Sequence, residues 1–138
     1  GLPPPDPRYP EDALTEFNFH LRSELAVDIE TVRRNFNRYG LLDEQVLFLK
    51  GLFRDTLPSV PGPLAILRLD GDLYSSTMDA LVHLYDKVSV GGYIIVDDYG
   101  PVIDARRATL DFRYARGIEA PLFAVDGDAV FWRKGEEN

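Results

Sequence analysis

Apolar residues change their spacing as the chain proceeds, and the change divides it into two stretches. Residues 1–10 hold five prolines, which excludes a helix or a central strand there. Residues 11–27 place Leu14, Phe17, Leu21 and Leu25 at helix-like intervals, which predicts one irregular helix or a flap. Asp28 then stands as an N-cap before an apolar stripe of Ile29, Val32, Phe36 and Tyr39, and Gly40 supplies the stop. Beyond it, short apolar runs alternate with helical patterns. Residues 46–49 read as a buried strand, 64–70 as a second, 76–87 as a helix, and Gly91 and Gly92 open a third strand at 93–98. A further helix is expected over about 104–115. Near-continuous apolar strands joined through a helix predict a parallel sheet covered on both faces. The end differs in kind: runs at 122–125 and 129–132 flank Asp126 and Gly127, which predicts a hairpin with a type I′ turn. The expectation is a Pro-rich segment with a flap over 1–27, then one α/β domain over 28–138. Its sheet should be mostly parallel and end in an antiparallel hairpin.

Charge and composition narrow the partners. A formal charge of −8 disfavours a phosphate backbone as ligand, and the two basic pairs, at Arg33–Arg34 and Arg106–Arg107, fall in helical patterns as surface charges. No nucleic acid is therefore expected. No run approaches the roughly 20 apolar residues of a membrane span, and no signal peptide is visible, so no membrane partner is expected either. The absence of cysteine removes disulfides and thiolate metal sites and fits a cytoplasmic location.

The chemistry gathers at two strand ends. Ligands of parallel α/β sheets bind beyond the carboxyl ends of the strands. The second strand ends in Asp70, Gly71 and Asp72, and the third in Asp97 and Asp98, 27 residues after Asp70. If the strands are neighbours, four carboxylates converge. Such crowding raises their pKa values or requires a counter-ion, and all-oxygen donors select Mg²⁺, Ca²⁺ or Mn²⁺. Asp70, Asp97 and Asp98 are the candidate metal ligands, and Asp72, one step into the loop, is the candidate general base. The alternative is that these aspartates cap the helices that follow, Asp72 above all, beside Ser75 and Ser76. Lesser candidates are Gly51 and Phe53, whose loop follows the 46–49 run, where backbone lies against a bound nucleotide or forms a plain connection. His20 in the flap, His83 in a helix and Trp132 in the last strand have packing or surface readings that outweigh chemistry. No Ser/His/Asp triad, Gly-rich phosphate loop or zinc signature is present.

Several stretches resemble the macrocin O-methyltransferase family, which acts on sugar hydroxyls in antibiotic biosynthesis. They are residues 68–74 (RLDGDLY), 76–81 (STMDAL), 91–100 (GGYIIVDDYG) and 130–134 (VFWRK), with 38–42, 53–58 and the opening Gly1 to Pro3 in support. The resemblance implies a Rossmann-like class I methyltransferase fold, S-adenosylmethionine facing Gly51, Phe53 and Asp70, and Mg²⁺ on Asp70, Asp97 and Asp98. It also implies Asp72 as the base toward a small-molecule hydroxyl acceptor, a sugar in particular. The family's Gly-containing cofactor loop and first two strands precede the Gly-Leu-Pro stretch, so this chain is expected to be the C-terminal part of that fold. Bare strand edges should then be relieved by pairing of the 46–49 strand with the 64–70 strand, or by a homo-oligomer. Two other readings stay open: a non-catalytic assembly module, and a metal-dependent hydrolase using the same carboxylates.

Overall fold

The computed structural model describes residues 1–14 and 18–135; Phe17 of the flap spacing and the last three residues of the expected domain lie outside them. Four strands form one mixed sheet in the order β1-β2-β4-β3, with β1 at Leu64–Leu69, β2 at Val88–Val96, β3 at Phe123–Ala124 and β4 at Val130–Arg133. β1 and β2 run parallel, and β4 pairs antiparallel with both β2 and β3. Helix α3 (Tyr74–Leu84) crosses between the parallel strands and packs on α4 (Ile103–Ala115). Leu67, Leu69, Leu81, Leu84, Tyr85, Ile94, Val96, Phe112 and Trp132 form the core between sheet and helices. Trp132 is fully buried against Tyr85, with ring centroids 6.5 Å apart, and beneath the Arg113 guanidinium at 4.8 Å.

The α/β class and the closing antiparallel pair are as the pattern predicts, but three local expectations change. Residues 46–49 form no strand: Val46 and Phe48 are half-buried while Leu47 and Leu49 are exposed, so burial alternates without any ladder partner. Phe48 instead meets Phe36 of α1 (Ile29–Arg38) edge-on at 5.3 Å. A short apolar run marks burial potential, not pairing. The proposed 46–49 pairing with β1 is thereby overturned, and among the described residues β1 has β2 as its one strand neighbour.

Gly91 and Gly92 do not open β2 but sit inside it, where the register to β1 shifts. A Cβ at Gly92 would lie 2.8 Å from the Ala65 carbonyl oxygen, so only glycine lets the strands approach there. The hairpin turn is not type I′ either, because neither Asp126 nor Gly127 has positive φ. Asp126 closes the longer loop itself, its Oδ1 accepting from the Asp128 and Ala129 amides at 2.8 Å.

The stretch before β1 consists of short turns, the helix α1 and the single turn α2 (Phe53–Thr56). Asp28 caps α1 as expected, accepting from the Thr31 amide at 2.8 Å, and Gly40 leaves it at φ 66°. The Pro-rich segment is fastened to α3. Asp12, with no exposed surface, accepts from the Ser75 amide at 2.9 Å and from the Asp6 amide at 3.0 Å. It supplies the N-terminal cap that α3 lacks from its own flanking residue. Arg8 joins Asp6 and Asp79, each at 2.8 Å, and Arg54 of α2 reaches Asp6 at 2.6 Å.

Candidate metal and acceptor site

The crossover through α3 places both acidic strand ends on one rim. The Asp97 amide donates to the Leu69 carbonyl at 2.8 Å, which extends the parallel ladder one step past Val96 and sets Asp97 beside Asp70. After each strand the chain turns sharply. Asp72 (φ 57°) and Asp98 (φ 50°) are, among the described residues, the non-glycines in the left-handed region. Such conformations cost most side chains of order 1 kcal/mol or more and gather at functional sites.

Asp70, Asp72 and Asp98 each bring a carboxylate oxygen within 4.8 Å of the others. Asp70 is exposed, and the other two are half-buried. Burial, a hydrogen bond with Asp98 and the charges of Asp98, Asp70 and Asp97 push the Asp72 carboxyl up to about 6. Asp97 is not in this group. It is bridged to Asp70 by Arg68, whose guanidinium meets Asp70 Oδ2 at 2.9 Å and Asp97 Oδ2 on its other arm. Burial raises the Asp97 carboxyl while Arg68 opposes the rise. Thus of the four predicted carboxylates, three converge and the fourth is held by an arginine. Hard, convergent oxygens with a displaced carboxyl pKa fit an Mg²⁺-type cation, which would relieve the repulsion. The capping role that competes for Asp72 in the sequence belongs instead to Asp12, 63 residues before the Ser75 amide it caps.

A cavity of about 260 Å³ opens beside this rim, lined by Gly51, Phe53 and Asp70 together with Gly1, Leu2 and Ser76. Gly51 takes φ 151° and has Thr56 Cγ2 2.8 Å from where a Cβ would stand. Gly71 lies under the Phe53 ring, at 3.4 Å by the same measure. These two glycines let the loops close around the space. His20 sits in an exposed turn and does not line this cavity, and Trp132 is core. Sequence reasoning missed Asp12, because no local spacing connects it to the start of α3.

Comparison with known proteins settles the ancestry. The Macrocin-O-methyltransferase (TylF) family matches residues 1–134. The chain belongs to this family. It is 58% identical over 111 residues to the 8-demethyl-8-(2,3-dimethoxy-alpha-L-rhamnosyl)-tetracenomycin-C 4'-O-methyltransferase of Streptomyces olivaceus, covering 79% of this chain and 42% of that protein. It is 54% identical over 113 residues to the demethyldecarbamoylnovobiocin O-methyltransferase of Streptomyces niveus, covering 81% of this chain and 43% of the relative. The solved O-methyltransferase NovP superposes with a TM-score of 0.90 at 45% identity, covering 99% of this chain and 57% of that one. The chain therefore spans about half the length of the curated relatives it matches. No helix among the described residues is long and apolar enough to cross a membrane.

Proposed function

We propose that this macrocin O-methyltransferase family chain carries the metal and acceptor site of an S-adenosylmethionine-dependent O-methyltransferase acting on a sugar hydroxyl. The observation that carries the reading is the convergence of Asp70, Asp72 and Asp98 within 4.8 Å, beside a cavity lined by Gly51, Phe53 and Asp70. Asp70 and Asp98 would hold Mg²⁺, with Asp97 as the further donor that the strand-end pattern offers. When bound, the cation lowers the pKa of an acceptor hydroxyl, and S-adenosylmethionine offers a methyl group on positively charged sulfur. Asp72 is the base. A carboxyl pushed up to about 6 is ionised at neutral pH yet more basic than an ordinary aspartate, which suits it to take the hydroxyl proton. Gly51 and Phe53 present a backbone and a ring to the cofactor side of the cavity, with Asp70 at the junction. Much of the rate would come from holding acceptor oxygen and methyl carbon in line.

The cysteine-free sequence suits the cytoplasm. A homo-oligomer belongs to the same proposal: the outer edge of β1 carries exposed Ile66 and meets no strand among the described residues. Calorimetric titration with Mg²⁺ and then S-adenosylmethionine tests the reading. We expect Mg²⁺ to bind, its affinity to fall about tenfold or more in Asp70→Asn, and S-adenosylmethionine to bind the parent chain. No Mg²⁺ binding overturns the metal site. No S-adenosylmethionine binding favours an assembly module.

A further inference from the structure

Two different triads of carboxylates can be drawn on the rim, and Arg68 stands between them. The strand-end pattern offers Asp70, Asp97 and Asp98, whereas the structure converges Asp70, Asp72 and Asp98. Asp70 and Asp98 belong to both triads. They differ in whether Asp97 or Asp72 is the third donor. If Asp72 is a donor, the cation draws on its negative charge and makes it a weaker base toward a hydroxyl proton. The choice of triad is therefore a choice between a resting and a working arrangement.

Arg68 is placed to make that choice. It lies on β1 two residues before Asp70, which directly follows the strand, so extended backbone sends the two side chains to the same side. Its planar fork spans the rim, one arm on Asp70 Oδ2 and the other on Asp97 Oδ2. Asp97 is thereby withheld from the convergent group, while Asp70 is engaged through Oδ2 alone. The Arg68 side chain is 53% exposed, and exposed ion pairs are weak and exchange readily. Building on the proposed metal site, we infer that Arg68 is a resident counter-ion that positions the rim: it holds Asp97 until a divalent cation competes for it. Release of Asp97 supplies the third donor and leaves Asp72 free as base.

Mn²⁺ binding followed by electron paramagnetic resonance tests this in the parent chain, Arg68→Met, Arg68→Lys, and each of these with Asp97→Asn. Removing the fork should raise Mn²⁺ affinity about tenfold, because a nearby like charge is lost and Asp97 is set free. Arg68→Lys, which keeps the charge but cannot span two carboxylates, should fall between. Asp97→Asn should cost more affinity on the Met background than on the parent. With chelator present, Arg68→Met should lower the thermal midpoint, and Mn²⁺ should restore it. Equal Mn²⁺ affinity in parent and Arg68→Met, or a fall in the variant, overturns the counter-ion role and leaves the metal site standing. No Mn²⁺ binding to either chain overturns both.

Discussion

Before β1 and after it, the molecule is held together by different forces. From Leu67 onward, buried aliphatic and aromatic side chains fill the space between sheet and helices. Before β1, the buried side chains among the described residues are two aspartates, Asp6 and Asp12. Apolar side chains of that stretch, Leu47 at 77% and Leu21 at 73% exposure, lie open. The later region rests on area removed from water, which is non-directional and spread over many residues. The earlier one rests on a few directional partners at the start of α3, and such an anchor fails when one group is lost.

The comparison can be pressed hardest at Trp132. Trp132→Ala empties the centre of the later region and should cost about 3–5 kcal/mol in chemical denaturation of the chain. A cost below about 1 kcal/mol would mean that the core is not what holds this region. Asp12→Ala should cost less, about 1–3 kcal/mol, by leaving the Ser75 and Asp6 amides without their acceptor. Its signature is locality: hydrogen exchange should accelerate in residues 1–14 and the first turn of α3, and hardly at all in β2 and β4. Uniform acceleration would erase the distinction between the two regions.

The smallest effect is a matter of sign. Asp6, hydrogen-bonded by Arg8, has its carboxyl held well below the usual range, so its contribution is present above about pH 4 and lost on acidification. Asp72 is the reverse. Raised from 3.8 to about 6, it favours the folded chain fully below about pH 4, and that contribution disappears as pH rises through 6. Asp72→Asn should therefore match the parent at pH 4 and exceed it at pH 8 in the absence of metal. The gain, discounted for the half-exposed setting, is on the order of 1 kcal/mol. Thermal unfolding at both pH values reads it, and an equal shift at each would argue against a charge-driven origin.

The same contrast explains what the sequence discloses. β1, α3, β2 and α4 are legible because each buries part of its apolar run, Leu67 and Leu69 in β1, Leu81 in α3, Ile94 and Val96 in β2 and Phe112 in α4, although Ile66, Tyr93 and Leu110 stay exposed. The 46–49 run carries the same signal but has no strand partner among the described residues, so a composition rule mistakes it for a strand. Asp6 and Asp12 carry no periodic signal, since their partners lie up to 73 residues away, as for Asp6 and Asp79 through Arg8. At the rim, the meeting of Asp70, Asp72 and Asp98 follows from two strand ends being neighbours. The hold of Arg68 on Asp97 does not, because it depends on a side-chain rotamer.

The curled backbone at positions 72 and 98 sets two filters on what can stand there. One is conformational: a short polar side chain tolerates the left-handed twist, whereas a longer or branched stem crowds the neighbouring carbonyl. The other is electrostatic and asks for a negative oxygen. Asparagine passes the first and fails the second, glutamate the reverse. Aspartate passes both, so fold and chemistry at these two corners press for the same residue.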